Sequence, residues 1–152
     1  MAVGVDRRLN DVANPEKSFL GTGWSFPPTF SQMDYSVVMI SDEADIRESL
    51  WILFSTTLGA RIMLPEYGSQ IWRMVFGSIT TTLMTQLASA VEQAILFWEP
   101  RITVDDVKVE PDANVSGVVL IAVYYTIRKT NARNNLVYPF YVQEGTIPVE
   151  AL

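Results

Sequence analysis

The sequence predicts an α+β fold: two main helices and one short helix packed on a small, mainly antiparallel β-sheet, with an extended N-terminal arm. Three observations carry this prediction. Two segments in the first two-thirds of the chain repeat apolar residues at helical spacing. After Pro100 the period shortens to that of strands. Turn-forming residues then cut the last third into strand-length runs, and helices followed by strands are the order of an α+β domain.

Residues 1 to about 19 are polar, mixed in charge and without period, as in an arm or tail. The segment FLGTGWSFPPTF follows. Its glycines free the backbone, and Pro27-Pro28 hold themselves and Phe26 out of helical conformation. An extended strap is expected, laying Phe19, Trp24, Phe26 and Phe30 onto either the chain's own core or a neighbouring subunit. The division expected is an arm over residues 1–30 and one α+β domain over residues 31–152.

Tyr35 to Ile40 is short and rich in β-branched residues, so a strand is predicted. Ser41-Asp42 then offers an N-cap, with Asp42, Glu43 and Asp45 in the first turn of a helix. A carboxylate cluster invites a metal, but the helix dipole favours negative charge there without one. Ile46, Leu50, Leu53, Phe54 and Leu58 give the apolar face, widened by Trp51 and Ile52, and Gly59 is the stop. Pro65-Glu66-Tyr67-Gly68 reads as a turn before a short helix from Ile71 to Phe76. The strongest helix follows Gly77-Ser78, with Leu83, Leu87, Val91, Ala94, Ile95 and Trp98 on one stripe. Pro100 ends it. Ile102 to Val109 is predicted as a strand in which Asp105-Asp106 breaks the alternation, and residues 110–113 as a turn. Val118 to Ile127 reads as a central strand covered on both faces, and Leu136 to Val142 as the last strand.

Composition removes whole classes of function. The 152 residues contain neither Cys nor His, which excludes disulfides, thiolate and imidazole metal sites, and histidine-dependent catalysis within this chain. No cofactor is expected. A formal charge of −6 argues against nucleic acid as a partner, since phosphate contacts need a clustered positive field. The small basic group Arg128, Lys129 and Arg133 is read as a solvated turn. The N-terminus lacks the apolar segment of a signal peptide, and the longest apolar run, Gly117 to Tyr125, is far short of the roughly 20 residues that span a bilayer. Synthesis and assembly in a cytoplasm, without direct membrane contact, are expected. Four Trp, six Tyr, seven Phe and six Met are generous for one core, so part of this apolar surface is expected to face partner subunits.

Glu99-Pro100-Arg101 stands where the long helix hands over to the sheet. Proline fixes its own φ and excludes helix at Glu99, and residues two apart in extended backbone point the same way. Glu99 and Arg101 are therefore expected as a paired acid and base on a rigid corner, flanked by Trp98 and Ile102. The residues leave open whether the pair is an internal tie or a partner contact.

The ordered set GTGWSFPP, DIRESLWILFSTTLGARIMLPEYG, a helix ending FWEPRI, Tyr124-Tyr125 and NNLVYPF resembles the gene-25-like baseplate wedge family of contractile phage tails and its type VI secretion counterpart, TssE. The likeness runs from about Gly21 to Tyr141, most of the chain. The sequence departs from the family pattern at Thr22, where a basic residue is usual, and at Ala60, which replaces an acid. The resemblance implies a structural subunit whose Glu99-Pro100-Arg101 corner docks into the core bundle of larger wedge proteins. It also implies that the sheet offers an edge to the first ring of sheath protein by strand addition, with spike or hub proteins as further partners. Trp98, Trp24, Phe26 and Pro27 join the corner as expected partner-binding residues. On this reading the corner matters to assembly far more than to folding, and Leu136 to Val142 is the expected edge.

The competing reading is a lysozyme-like glycoside hydrolase using Glu66 and Glu99, with Asp105 or Asp106 as a third candidate. A general acid needs surroundings that favour its protonated form. An arginine two residues from Glu99 does the opposite. A structural, non-enzymatic role is therefore expected.

Overall fold

The computed structural model describes residues 19–33 and 35–142, so the first part of the expected arm lies outside the described residues. The chain forms two compact units, Met1–Ser49 and Leu50–Leu152.

In the first unit the strap folds back on the segment that follows it. Strand β1 (Thr22–Trp24) pairs antiparallel with β2 (Met39–Ser41). An isolated bridge joins Phe30 to Val37, and the Val38 N–H donates to the Thr29 carbonyl at 2.9 Å. Pro27-Pro28 sit in the connection, where a missing N–H removes no ladder bond. The Phe26 N–H donates to the Glu48 carboxylate at 2.5 Å, fixing the strap to helix α1 (Asp42–Ser55). The strand predicted over Tyr35–Ile40 shrinks to Met39–Ser41 because Tyr35 adopts a φ of 53°, which breaks the extended run. Ser41 does not cap the helix. It is the last residue of β2, opposite Thr22, and its buried hydroxyl has no hydrogen-bond partner among the described residues.

Helix α1 ends at Ser55, earlier than the apolar pattern through Leu58 suggests. Ser55 Oγ and Thr56 Oγ1 donate to the Trp51 and Ile52 carbonyls at 2.8 and 2.6 Å, satisfying carbonyls of the last turn. A short 3-10 helix, Gln70–Met74, then forms where Ile71–Phe76 was predicted, capped by the Ser69 hydroxyl. Helix α2 (Thr81–Trp98) begins at an N-cap threonine, Thr80, whose Oγ1 accepts from the Leu83 N–H.

The second unit ends in a three-stranded antiparallel sheet of order β3-β4-β5: β3 (Ile102–Pro111), β4 (Val118–Ile127) and β5 (Ala132–Tyr141). The break in alternation at Asp105-Asp106 is a β-bulge. Val104 faces Tyr125 and Asp106 faces Tyr124, leaving Asp105 as the extra residue. One sheet face forms the core with the helices. Trp51 and Phe54 meet the Tyr138 ring at 4.8 and 5.6 Å, and Trp72 meets Phe140 at 5.7 Å while donating to the Phe54 carbonyl. Among the described residues the central strand is fully covered on one face and only partly on the other. Val119, Ile121 and Val123 are fully buried, whereas Tyr124 on the other face is 38% exposed. Among the described residues no helix is long and apolar enough to cross a membrane.

Candidate functional site

Helix α2 delivers its last residue, Trp98, to a corner held by both backbone and side chains. Glu99 is the C-cap, with φ −126° and ψ 76°, and its N–H still donates to the Ile95 carbonyl at 2.9 Å. Pro100 allows no further helix. The Arg101 carbonyl accepts from the Arg128 N–H at 3.0 Å, which ties the start of β3 to the β4–β5 turn.

The side chains of Glu99 and Arg101 meet as their spacing predicts. Arg101 Nε donates to Glu99 Oε1 at 2.6 Å and its Nη2 to Oε2 at 2.7 Å, a bidentate fork. Glu99 is only 3% exposed, while the Arg101 side chain is 27% exposed. The acid is therefore an inward anchor and the arginine the part that reaches the surface. With the acid buried, the fork bears on folding as well as on any contact that Arg101 makes at the surface. A buried carboxylate that loses a bidentate cationic partner has less to offset its desolvation cost.

A loop that the sequence left as a plain turn packs beside this corner. The Tyr67 ring meets Trp98 edge-on at 5.2 Å, and the Arg61 guanidinium lies 4.0 Å above the same ring. Burial pushes the Tyr67 hydroxyl above its ordinary range; Glu99 acts in the same direction and Arg61 opposes both. The loop is closed by the Ser69 N–H to the Thr56 carbonyl at 3.0 Å and the Gly59 N–H to the Pro65 carbonyl at 2.8 Å. Gly68 is required there. Its φ is 134°, and a Cβ would stand 2.6 Å from the Thr56 carbonyl oxygen. The signal for this contact was one aromatic residue in a turn and one basic residue in a loop, too little to join them to a helix end thirty residues away in sequence.

The other expected partner residues lie in the first unit. Trp24 and Phe26 are 63% and 47% exposed, and Phe19 and Phe30 are more than half exposed too, among the described residues. Of the proposed hydrolase pair, Glu66 is exposed in its turn while both oxygens of Glu99 accept from Arg101. The structure does not present them as one free acid and one free base. Asp105 accepts from Thr126 Oγ1 at the bulge.

Comparison with known proteins defines the class. Residues 40–132 match the family described as baseplate wedge protein gp25. Baseplate protein W of Escherichia phage P2 is 34% identical over 68 residues, 45% of this chain and 59% of that protein, so the chain spans well under two-thirds of its length. A protein from Geobacter sulfurreducens, labelled a tail lysozyme, superposes with a TM-score of 0.67 at 40% identity, covering 73% of this chain and all of the other. A chain of the anti-feeding prophage baseplate superposes with a TM-score of 0.59 at 27% identity, covering 82% of this chain and 88% of its own. The fold and its relatives are those of baseplate subunits of contractile injection systems. Within that class, the chain belongs to the gp25 baseplate wedge family.

Proposed function

We propose that this chain is a non-enzymatic connector that joins the core bundle of the larger wedge proteins to the first sheath ring and helps initiate sheath assembly. Trp98, Glu99, Pro100 and Arg101 dock the bundle, and Trp24, Phe26 and Pro27 make a second partner contact. An arm over residues 1–30 and a wedge domain over residues 31–152 belong to the same reading. One observation carries it: a pinned corner holds a partly open arginine, and the last turn of the helix that leads to it leaves Leu96 and Phe97 71% and 75% exposed. Exposed large apolar side chains together with an oriented guanidinium suit a protein interface better than water.

The two sheet edges favour β5 for strand addition. β3 carries a bulge, the charges Asp105, Asp106, Lys108 and Glu110, and Pro111 at its end, all features that discourage edge pairing. β5 keeps unbroken register with β4 over its ten residues. Its Pro139 is tolerated because β5 is an edge.

Electron microscopy of particles made with and without this chain tests the proposal. Sheath polymerising normally on a complete baseplate in its absence would overturn it. The hydrolase reading, drawn from Glu66 and Glu99 and from the name of the Geobacter relative, is tested on purified peptidoglycan. No release of soluble fragments is expected, and turnover lost on Glu66→Gln or Glu99→Gln would establish catalysis instead.

A further inference from the structure

Beside the corner is a notch of 110 Å³ whose lining includes Leu58, Ala94, Phe97 and Trp98, with Glu66, Gln70 and Gln93 as its polar groups. Among the described residues, the side chains of Glu66, Gln70 and Gln93 have no hydrogen-bond or ion-pair partner. The nearby cations are engaged: Arg61 lies on the Tyr67 ring and Arg101 is forked onto Glu99. The notch therefore combines an unpartnered carboxylate, two amide carbonyls able to accept, and two aromatic side chains. It is the size of one side chain, not of a helix or a strand.

We infer that this notch receives a single arginine side chain from the partner that docks on the corner. The inference rests on the proposed docking there and names its chemistry. A guanidinium supplies what each lining group lacks: planar donors for the Glu66 carboxylate and the glutamine carbonyls, and a weakly hydrated cationic face for the rings. The same loop already shows this preference internally, since Arg61 stacks on Tyr67. An acidic insert would repel Glu66, and a purely aliphatic one would cover it without supplying a partner.

The test is the amount of this chain in purified particles when position 66 is varied. Glu66 is exposed in a turn, so the variants are expected to melt like the parent chain. Glu66→Asp is expected to incorporate nearly normally, Glu66→Gln a few-fold less, and Glu66→Lys at least about tenfold less. Gln93→Lys, on the exposed face of α2, repeats the charge test at a second wall of the notch and is expected to fall as well. Asp performing no better than Gln, or Lys incorporating normally, would overturn the inference. The docking proposal fails separately, when particles also incorporate Phe97→Asp and Arg101→Lys as well as the parent.

Discussion

The corner at residues 98–101 and the strap at residues 22–30 were singled out for the same role, yet they are built in opposite ways. At the corner the charged group is satisfied within the chain: Glu99 is buried, both its oxygens accept from Arg101, and Trp98 leans on Tyr67. On the strap the backbone is fixed by β1–β2 pairing and the Phe26–Glu48 bond, while the rings of Trp24, Phe26 and Phe30 remain open. On the proposed function, the corner would couple binding to folding and the strap would keep them separate. A buried ion pair is costly to break, so its geometry is preset before a partner arrives. Exposed aromatic rings contribute little to the free chain and gain area only on burial.

The sharpest way to break this contrast is Arg101→Ala. It leaves Glu99 buried without its fork and is expected to destabilise the free chain by about 2 kcal/mol, below the usual range for buried pairs because Arg101 is partly exposed. Thermal unfolding measures this, and an unchanged melting temperature would show that the fork contributes nothing to folding. Thr80→Ala removes the N-cap of the helix that carries the corner and is expected to cost about 1 kcal/mol in chemical denaturation. Trp24→Ala and Phe26→Ala are expected to change stability by less than about 1 kcal/mol while lowering incorporation into particles. Loss of folding in these two would make the strap a structural element instead. The smallest effect concerns Tyr67. Its hydroxyl is raised above the ordinary value of 10.0, mainly by burial, so the unfolded chain ionises first as pH increases. Stability is therefore complete below pH 10 and declines as pH rises through the folded value, and Tyr67→Phe should flatten that decline in melting curves taken from pH 9 upward.

Much of this architecture was legible in the sequence, for reasons that differ by element. Helix α2 shows a full apolar stripe after Gly77-Ser78, and its observed end at Trp98 falls where Pro100 places it, while the start at Thr81 follows from the Thr80 cap seen in the structure. The bulge at Asp105 was visible as a fault in alternation. Elements set by distant partners were harder to read. Helix α1 ends three residues before Leu58, and the hydroxyls of Ser55 and Thr56 satisfy carbonyls of its last turn, details that an apolar pattern does not encode. The second face of β4, with Leu120, Ala122 and Tyr124, is as apolar as a buried face but only half-covered among the described residues, a difference that an apolar pattern does not encode.

The sequence by itself determined the class of fold, the rigid break at Pro100, the pairing of Glu99 with Arg101, and the absence of thiol and imidazole chemistry. These follow from local geometry and from which side chains exist at all. Only the tertiary structure decided that Glu99 is buried while Arg101 reaches the surface, that Tyr67 and Arg61 pack beside Trp98, and that a notch opens between Glu66 and the end of α2. Burial is a property of everything packed around a residue. It is set by contacts between segments far apart in the chain, which a local pattern does not record.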